Sequence, residues 1–217
     1  MALEQSPWKD ASGREADRSE KRDAVLRVAA QSFCERGVRA TSLDDVAERL
    51  NITKPTIYHY FRNKDEILVA CVARGLAMID DAVAQADREA LSALDRLRAA
   101  LRRYAEVMTM DFGMCVTRIS EPDLSEEGRA RFRDGKRKID ERVRDLLRAC
   151  IREGSIRPCD VVLATFTITG ALNWIARWYD PDGPLTGEEI GERMVAMLLA
   201  GFAAPAPPRG TEAGEAG

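Results

Sequence analysis

Residues 41–68 read TSLDDVAERLNITKPTIYHYFRNKDEIL, and this stretch decides the fold of the chain. Ser42 precedes a short segment in which apolar residues recur at helical spacing. Its hydroxyl can accept a hydrogen bond from the backbone N–H three residues later and so cap the start of a helix. Asn51 tolerates the left-handed backbone that ends such a helix. Pro55 suits the first turn of the next helix, where a missing N–H costs nothing. Two short helices joined by a tight turn predict a helix-turn-helix.

The second of these short helices combines positive charge with hydrogen-bond donors. No carboxylate occurs between Glu48 and Asp65, although the chain as a whole has a net charge of −3. Ile57 and Phe61, four residues apart, are predicted to face the core of the unit. The opposite side then presents donors that can bind phosphate oxygens or base edges. The basic and polar donors of this segment are Arg49, Thr53, Lys54, Thr56, Tyr58, His59, Tyr60, Arg62 and Lys64.

The composition limits the classes of protein that the chain can represent. Of its 217 residues, 45% are hydrophobic and 32% charged, so it can bury a core, and the lack of strand-like alternation favours an all-α fold. Five cysteines without a CxxC pair indicate reduced thiols. There is no apolar run of the ~18–20 residues that span a bilayer, and no signal peptide. We therefore expect a cytoplasmic protein that needs no membrane, metal or cofactor.

The residue inventory gives little support to catalysis. His59 is the single histidine, and it already lies in the second short helix. An enzyme based on Cys115, or on the adjacent carboxylates Glu126 and Glu127, lacks a recognisable pairing of nucleophile and base. Such an enzyme, and an architectural protein without an effector, remain as alternatives to a DNA-binding regulator. Binding to a duplex argues against the first, and release of the duplex by a hydrophobic ligand argues against the second.

Capping and helix-breaking residues divide the chain into four regions. Residues 1–18 are predicted to be a flexible arm, 19–68 a helix-turn-helix domain, 69–203 a larger helical domain and 204–217 a disordered tail. The first helix is expected over 19–36. A helix that begins near Asn63 and continues to about Met78 should join the two domains. Further helices are predicted near 80–88, 91–110, 114–121, 125–153, 159–179 and 187–202.

The quoted stretch resembles the DNA-binding domain of the TetR family of transcriptional repressors. The resemblance covers roughly residues 20–68 and rests on the spacing of TSLDDVAE, NITKPTIYHYF and NKDEIL. Asn51 and Pro55 stand where the family often has glycine or another small residue, and both suit those backbone positions. The resemblance implies that the chain is not an enzyme but binds double-stranded DNA with a helix in the major groove.

The family pattern implies two groups of DNA contacts. Thr41 and Ser42, at a helix N-terminus, are expected to contact phosphate through hydroxyl and backbone N–H groups. Tyr58 and Lys64 are expected to bind the flanking phosphates. The remaining expected contacts, in or near the major groove, are Thr53, Lys54, Thr56 and His59.

The helix predicted over 159–179 is apolar around most of its circumference, so it should be buried on more than one face. The TetR resemblance implies that it and the last helix pair with their copies in a second subunit to form a four-helix interface. A two-fold homodimer presents two recognition helices to the two half-sites of a palindromic operator. The residues expected in this interface are Phe166, Gly170, Met194, Met197 and Leu198.

Residues 170–183 resemble a segment of TetR-type regulators that respond to fatty-acyl or steroid-derived acyl-CoA thioesters. The resemblance implies an acyl-CoA effector that releases the operator. Arginines can bind its phosphates, with Arg129, Arg131 and Arg133 as further candidates, and methionines can line an adaptable acyl tunnel. The expected ligand contacts are Met108, Phe112, Met114, Arg118, Trp174, Arg177 and Trp178.

Other interpretations of these ligand residues stay open. A stripe of tryptophan and methionine at helical spacing is also typical of a core, and Arg177 can instead pair with Asp180 or Glu141. The effector can also be a neutral hydrophobic molecule, as in a regulator of efflux or drug response. In either case an effector that favours the wrong spacing of the recognition helices weakens operator binding by linkage.

Overall fold

The computed structural model describes residues 11–86 and 92–200, and every regular element within these two ranges is helical. The prediction of an all-α fold is confirmed for this part of the chain. None of the helices described there is both long enough and apolar enough to cross a bilayer. A 3₁₀ turn, Glu121–Asp123, precedes the seventh α-helix. In chain order the α-helices are α1 (Ala11–Arg36), α2 (Leu43–Arg49), α3 (Lys54–Tyr58), α4 (Lys64–Ala86), α5 (Ala93–Val107), α6 (Asp111–Arg118), α7 (Glu126–Arg152), α8 (Val161–Trp178) and α9 (Gly187–Ala200).

Helices α1, α2 and α3 pack around a small apolar core. Phe33 of α1 is 2% exposed, and Ile57 of α3 is fully buried. The Ser42 hydroxyl accepts the Asp45 backbone N–H at 3.1 Å, and the Asp45 carboxylate accepts the Ser42 N–H at 2.8 Å. Asn51 follows α2 with φ of 52°. The predicted helix cap and left-handed turn are therefore both confirmed, and they fix the angle at which α3 leaves α2.

Helix α4 runs without a break from Lys64 to Ala86. The prediction of a separate helix over 80–88 is wrong. Ile79 and Val83 continue the buried stripe of α4 that begins at Ile67, and no proline or glycine lies between them to end the helix. The helix shared by the two parts of the chain is therefore longer than the sequence suggested.

Helix α1 begins at Ala11 and not at residue 19, so residues 11–18 belong to a helix and the predicted loose arm is corrected there. Charged side chains one turn apart support this extension, as in the 2.7 Å ion pair between Lys21 and Asp17. Residues 1–10 of the predicted arm, and the predicted tail over 204–217, lie outside the described residues.

In the helical body, the backbones of α4 and α6 are in direct contact at Gly75. A Cβ atom on Gly75 would lie only 2.1 Å from the carbonyl oxygen of Phe112, so the contact requires a residue without a side chain. Helices α5, α7 and α8 complete the core around this contact, with Leu97, Leu147 and Leu172 each 2% exposed or less.

Hydrogen bonds join the α1–α3 unit and the start of α4 to the body. The Gln31 amide of α1 donates to the Asp111 carboxylate of α6 at 3.0 Å. The backbone N–H of Ser125 donates to the Asp65 carboxylate of α4 at 3.0 Å. Together with the uninterrupted α4, these contacts allow movements of the body to reach α3.

Helix α8 buries one face within the chain and leaves a second apolar face uncovered. Leu172 and Ile175 are fully buried, whereas Leu163 and Trp174 are each 64% exposed and Phe166 is 54% exposed. One face of α8 thus covers the interior, as predicted, and burial of the second face by a partner chain stays a prediction. The uncovered side carries large exposed apolar side chains, which is typical of a helix face that another element covers.

Candidate nucleic-acid interface and ligand cavity

Helix α3 turns one face inward and the other to solvent. Ile57 is fully buried, and Phe61, just beyond the helix, is 2% exposed, so both face the core as predicted. Tyr58 is 48% exposed, and Thr53 and His59 are also exposed. The side of α3 predicted to bind DNA is therefore accessible to a duplex.

Several polar side chains of this face hold one another in place. Lys54 Nζ lies 2.9 Å from Asp44 Oδ2, and this hydrogen bond together with the carboxylate charge raises the pKa of Lys54. The hydroxyl oxygens of Thr53 and Thr56 are 2.9 Å apart. Because each group lies at or near the surface, it can exchange its intramolecular partner for a phosphate oxygen or a base edge.

The two residues predicted to contact phosphate before α2 differ in accessibility. Ser42 is exposed at the N-terminus of α2. Thr41 is only 2% exposed, and its hydroxyl lies within hydrogen-bond distance of the carbonyl oxygens of Ser32, at 3.0 Å, and Gly37, at 2.9 Å. The predicted phosphate contact of the Thr41 hydroxyl is therefore wrong. This hydroxyl ties the loop before α2 to the end of α1.

Two basic side chains of the segment have defined positions. Lys64 lies in the first turn of α4, where its ammonium donates to the Val38 carbonyl and stands 6.0 Å from the centre of the Phe33 ring. Arg49 forms a 2.8 Å ion pair with Glu35. Lys64 thus holds its charge beside the loop between α1 and α2, while Arg49 joins α2 to α1.

A cavity of about 540 Å³ opens into the helical body. Its volume is in the range of pockets that bind small molecules. Half of its lining residues are aliphatic or aromatic, and most of the others are polar or charged. Helices α4 to α8 all contribute to it. The lining residues are Leu76, Ile79, Tyr104, Val116, Thr117, Ile119, Ser120, Glu121, Phe132, Lys136, Ile139, Asp140, Phe166, Thr169, Gly170 and Asn173.

A few polar groups in the cavity can orient a ligand. The Tyr104 hydroxyl donates to the Asn173 side-chain oxygen at 2.8 Å, and burial raises the pKa of Tyr104, so this hydroxyl stays protonated. Burial also raises the pKa of Asp140, against the opposing charges of Arg144 and Lys136. Sequence reasoning missed Tyr104 and Asp140 because they lie on different helices and carry no local motif. Asn173 lies within the segment 170–183 but was not among the expected ligand contacts.

Two family models match the chain. One, described as "Tetracyclin repressor-like, C-terminal domain", covers residues 90–202, more than half of the chain. The other, "Bacterial regulatory proteins, tetR family", covers residues 25–71 and so includes α2 and α3. The chain belongs to the TetR family. It is accordingly a DNA-binding transcriptional repressor and not an enzyme.

Individual TetR relatives cover most of the chain. The transcriptional repressor KstR2 of Rhodococcus jostii (strain RHA1) is 30% identical over 217 residues, covering 92% of this chain and 97% of that protein. The structure of KstR2 of Mycobacterium tuberculosis, a ketosteroid transcriptional regulator, has a TM-score of 0.77 and 26% identity over 85% of this chain and 96% of that one. AibR, solved with isovaleryl coenzyme A and operator DNA, has a TM-score of 0.73 and 29% identity over 84% of this chain and all of that one.

The seven ligand contacts expected from the TetR resemblance are absent from the lining of the 540 Å³ cavity. Met108 is fully buried and Phe112 is 8% exposed, so both pack in the core, as the alternative interpretation stated. Trp174 and Trp178 are 64% and 46% exposed and face away from the core. Met114, partly buried in α6, packs against the core as well. The seven assignments stay predictions for ligand contact, and the packing of the helices, which local sequence does not reveal, sets them outside this cavity.

The predicted ligand arginines of this TetR protein also have other partners. Arg118 Nε donates to the Ala176 carbonyl at 2.6 Å. Arg177 donates to the Thr117 carbonyl at 2.7 Å rather than pairing with Asp180 or Glu141. Both guanidinium groups therefore join α6 to α8. Of the further arginines predicted to bind the phosphates of the effector, Arg131 forms an ion pair with Glu127 at 2.6 Å and Arg133 forms one with Glu121 at 2.7 Å.

The residues expected in a TetR dimer interface lie on α8 and α9. Phe166 and Met197 are 54% and 50% exposed, and Gly170 is exposed with open space where a side chain would stand. Met194 and Leu198 are partly buried against the core. Phe166 and Gly170 also line the cavity, so the cavity and the uncovered face of α8 share a border.

Proposed function

We propose that this TetR repressor acts as a homodimer on a palindromic operator and that a hydrophobic effector, an acyl-CoA thioester, releases it. The observation that carries the proposal is the arrangement of α3, with Ile57 and Phe61 buried and Tyr58 48% exposed on the opposite side. This places an accessible, cationic and hydroxyl-rich surface on a short helix, as major-groove recognition requires.

The proposed DNA contacts separate into two sets. Ser42, Tyr58 and Lys64 contact phosphates and position the protein without reading sequence. The groups that approach base edges are Thr53, Lys54, Thr56 and His59. Thr41 contributes by holding the loop before α2, since its hydroxyl is bonded inside the unit.

The proposed dimer uses the uncovered face of α8 together with α9. Leu163, Phe166, Trp174 and Met197 are each at least 50% exposed, and large apolar side chains grouped in this way mark an interaction surface. A two-fold axis beside α8 lets the same patch cover itself on a second chain. The two copies of α3 then face two half-sites of one operator.

We propose that two parts of the chain carry separate functions. Residues 19–68 form the DNA-binding domain and residues 69–203 the effector-binding and dimerisation domain. Because α4 extends through the boundary, an effector that changes the tilt of α4 changes the separation of the two copies of α3. A preference of about 10⁴-fold for the released conformation is needed to move the population almost completely.

The acyl-CoA proposal rests on the cavity and on one relative. The lining offers aliphatic and aromatic side chains for an acyl group, and its volume of about 540 Å³ suits that group rather than a complete coenzyme. The nucleotide part then stays at the cavity mouth, where Lys136 supplies a positive charge. AibR, which resembles this chain, was solved with isovaleryl coenzyme A.

A neutral hydrophobic effector is the second candidate, and one observation favours it. Among the described residues that line the cavity there is no arginine, and Lys136 is the single cation. Four of the five arginines predicted to bind phosphate are instead held by carbonyl groups or carboxylates, namely Arg118, Arg131, Arg133 and Arg177.

Operator binding is tested with the full chain and a duplex that it selects from a random library. We expect a selected palindrome, bound by two chains, and a loss of at least tenfold in affinity for Thr56→Ala. Failure to enrich any duplex, or equal affinity for selected and unselected duplexes, contradicts sequence-specific repression.

The effector is tested on the same complex with isovaleryl-CoA, a long-chain acyl-CoA, free CoA and the neutral probe N-phenyl-1-naphthylamine. Release by acyl-CoA, lost in Lys136→Met but kept in the matched variant Lys138→Met, supports the thioester. Lys138 serves as the control because it lies on the same helix, pairs with Asp80 and does not line the cavity. Release by the neutral probe alone supports the second candidate.

A further inference from the structure

Two cysteine side chains meet where the DNA-binding unit touches the body. Cys34 lies near the end of α1 and Cys115 lies in α6, and their sulfur atoms are 3.5 Å apart. A disulfide has an S–S length of about 2.05 Å, so the two sulfurs need to approach by only about 1.5 Å.

The surroundings make the two thiols unequal. Cys34 is partly exposed, whereas Cys115 is fully buried. The hydrogen bond with Cys115 and the positive charge of Arg118 lower the pKa of Cys34, although burial and the charges of Asp111 and Glu35 oppose this shift. The same hydrogen bond and burial raise the pKa of Cys115. Cys34 is therefore the thiol that more readily becomes the nucleophilic thiolate.

The other cysteines have different settings. Cys71 is fully buried and donates to the Leu26 carbonyl, and burial raises its pKa. Burial also raises the pKa of Cys150. Cys159 is exposed at the start of α8, and no thiol lies beside it among the hydrogen bonds of the described residues. Within the described residues, the hydrogen-bonded pair of thiols is therefore Cys34 and Cys115.

We propose that Cys34 and Cys115 form an oxidation site for a hydroperoxide and are converted into a disulfide that joins α1 to α6. The Cys34 thiolate attacks one oxygen of hydrogen peroxide, the O–O bond breaks, and Cys34 sulfenic acid and hydroxide are formed. The Cys115 sulfur then attacks the Cys34 sulfur, the S–O bond breaks, and the S–S bond forms. The Cys115 proton and the departing hydroxide leave as water, so two thiols and one peroxide give one disulfide and two waters.

The proposed cross-link lies between the DNA-binding unit and the cavity, so it should affect how they move relative to each other. Helix α1 belongs to the DNA-binding unit, while Val116 and Thr117, which directly follow Cys115, line the cavity. A bond between α1 and α6 restricts movement of the cavity wall relative to the DNA-binding unit. This effect on operator release rests on the proposed function, but formation of the disulfide does not.

The test treats the reduced full chain with hydrogen peroxide at low molar excess and analyses it without reductant. We expect two of the five thiols to disappear, the intact mass of one chain to fall by about 2 Da, and digestion to give a peptide linking Cys34 with Cys115. Dithiothreitol should restore both thiols. The oxidised chain should also unfold at a higher temperature, since the cross-link closes a long loop.

Variants assign the two steps. Cys115→Ala should stop at a Cys34 sulfenic acid that dimedone traps, and Cys34→Ser should form no intramolecular disulfide, while Cys159→Ser should behave as the parent chain. Linkage through Cys71 or Cys159, dimers joined by disulfides, or full retention of free thiols overturns the proposal. The peptide analysis of the parent chain decides the matter even if a variant folds poorly, and duplex selection is measured separately, so the two proposals fail independently.

Discussion

The Lys54 ammonium lies 2.9 Å from the Asp44 carboxylate, so the first residue of α3 is paired with a residue of α2 on the same surface. Both side chains are largely solvated, with 41% and 68% of their side-chain areas exposed, and water screens the attraction between exposed charges of this kind. The pair therefore contributes little to folding. Its main effect is to hold one cation of the proposed recognition surface beside a negative charge while DNA is absent.

Replacing Asp44 by asparagine should strengthen binding to unselected duplexes. The change removes one carboxylate from the proposed interface and frees Lys54, and we expect a gain of about threefold to tenfold at low salt. Fluorescence anisotropy with a labelled duplex measures it. Asp145→Asn is the control, because it removes the same charge from an exposed ion pair on α7. An equal gain in both variants would show that net charge alone is responsible.

Lys64→Ala should weaken binding to selected and unselected duplexes alike. A lysine that contacts phosphate carries no sequence information, so the slope of log affinity against log salt should fall in magnitude by about 1. A salt series by anisotropy gives this slope. Lys138→Ala, on α7, should leave both affinity and slope as in the parent chain. A parental slope in Lys64→Ala removes this residue from the set of contacts.

The helix-turn-helix could be predicted from sequence because its signals are local. The cap at Ser42, the turn at Asn51 and the four-residue spacing of Ile57 and Phe61 each involve neighbours along the chain, and the structure places them as expected. Thr41 was misassigned because a hydroxyl at a helix start looks the same whether it faces solvent or the end of α1.

The cavity could not be predicted because its walls come from distant parts of the chain. Tyr104, Asp140 and Asn173 lie on three helices and meet only after folding. Conversely, Trp174 and Arg177 attracted attention through a short motif, but their side chains contact solvent and a carbonyl group. Helix periodicity predicts which residues share one face of a helix. The packing of the other helices decides what that face contacts.

Leu163→Glu should convert a dimer into a monomer without unfolding the chain. Leu163 is 64% exposed in the single chain, so a charge there costs little in the monomer but is unfavourable in an apolar interface. Sedimentation velocity should show half the parental mass, and affinity for the selected palindrome should fall at least tenfold. Ala130→Glu, at an exposed position of α7, serves as control. A monomeric parent chain contradicts the proposed interface.

Asp140→Asn should stabilise the chain near neutral pH. Burial raises the pKa of Asp140 in the folded state, so its ionisation destabilises the fold as pH rises from the unfolded value of about 3.9 through the folded value. Below that window the carboxyl is protonated in both states and the penalty is absent. We expect a gain of less than about 1 kcal/mol at pH 7, because the group is partly solvated.

Urea denaturation at pH 7 and near pH 4 measures this difference. The advantage of Asp140→Asn over the parent chain should shrink at the lower pH. Asp145→Asn, at an exposed position of the same helix, should show no such trend. An advantage for Asp140→Asn that grows on acidification has the wrong sign for a carboxyl with a raised pKa.

Gly75→Ala should destabilise the chain, whereas Gly170→Ala should not. The new Cβ at Gly75 would stand 2.1 Å from a backbone oxygen, but nothing lies within 4 Å of one at Gly170. We expect a loss of about 1–3 kcal/mol for the first change and a gain of up to about 1 kcal/mol for the second. Urea denaturation in the Leu163→Glu background removes dimer contacts from the comparison. Equal effects at both sites contradict the close approach of α4 and α6.

The bare backbone at Gly75 also has a mechanical meaning. Side chains between two helices can absorb part of a displacement through their rotamers, and at Gly75 there is no such side chain on α4. If an effector occupies the cavity as proposed, we expect a displacement of α6 to reach α4 with little loss at this point. A stiff contact of this kind would let a small ligand change the distance between the two copies of α3 in the proposed dimer.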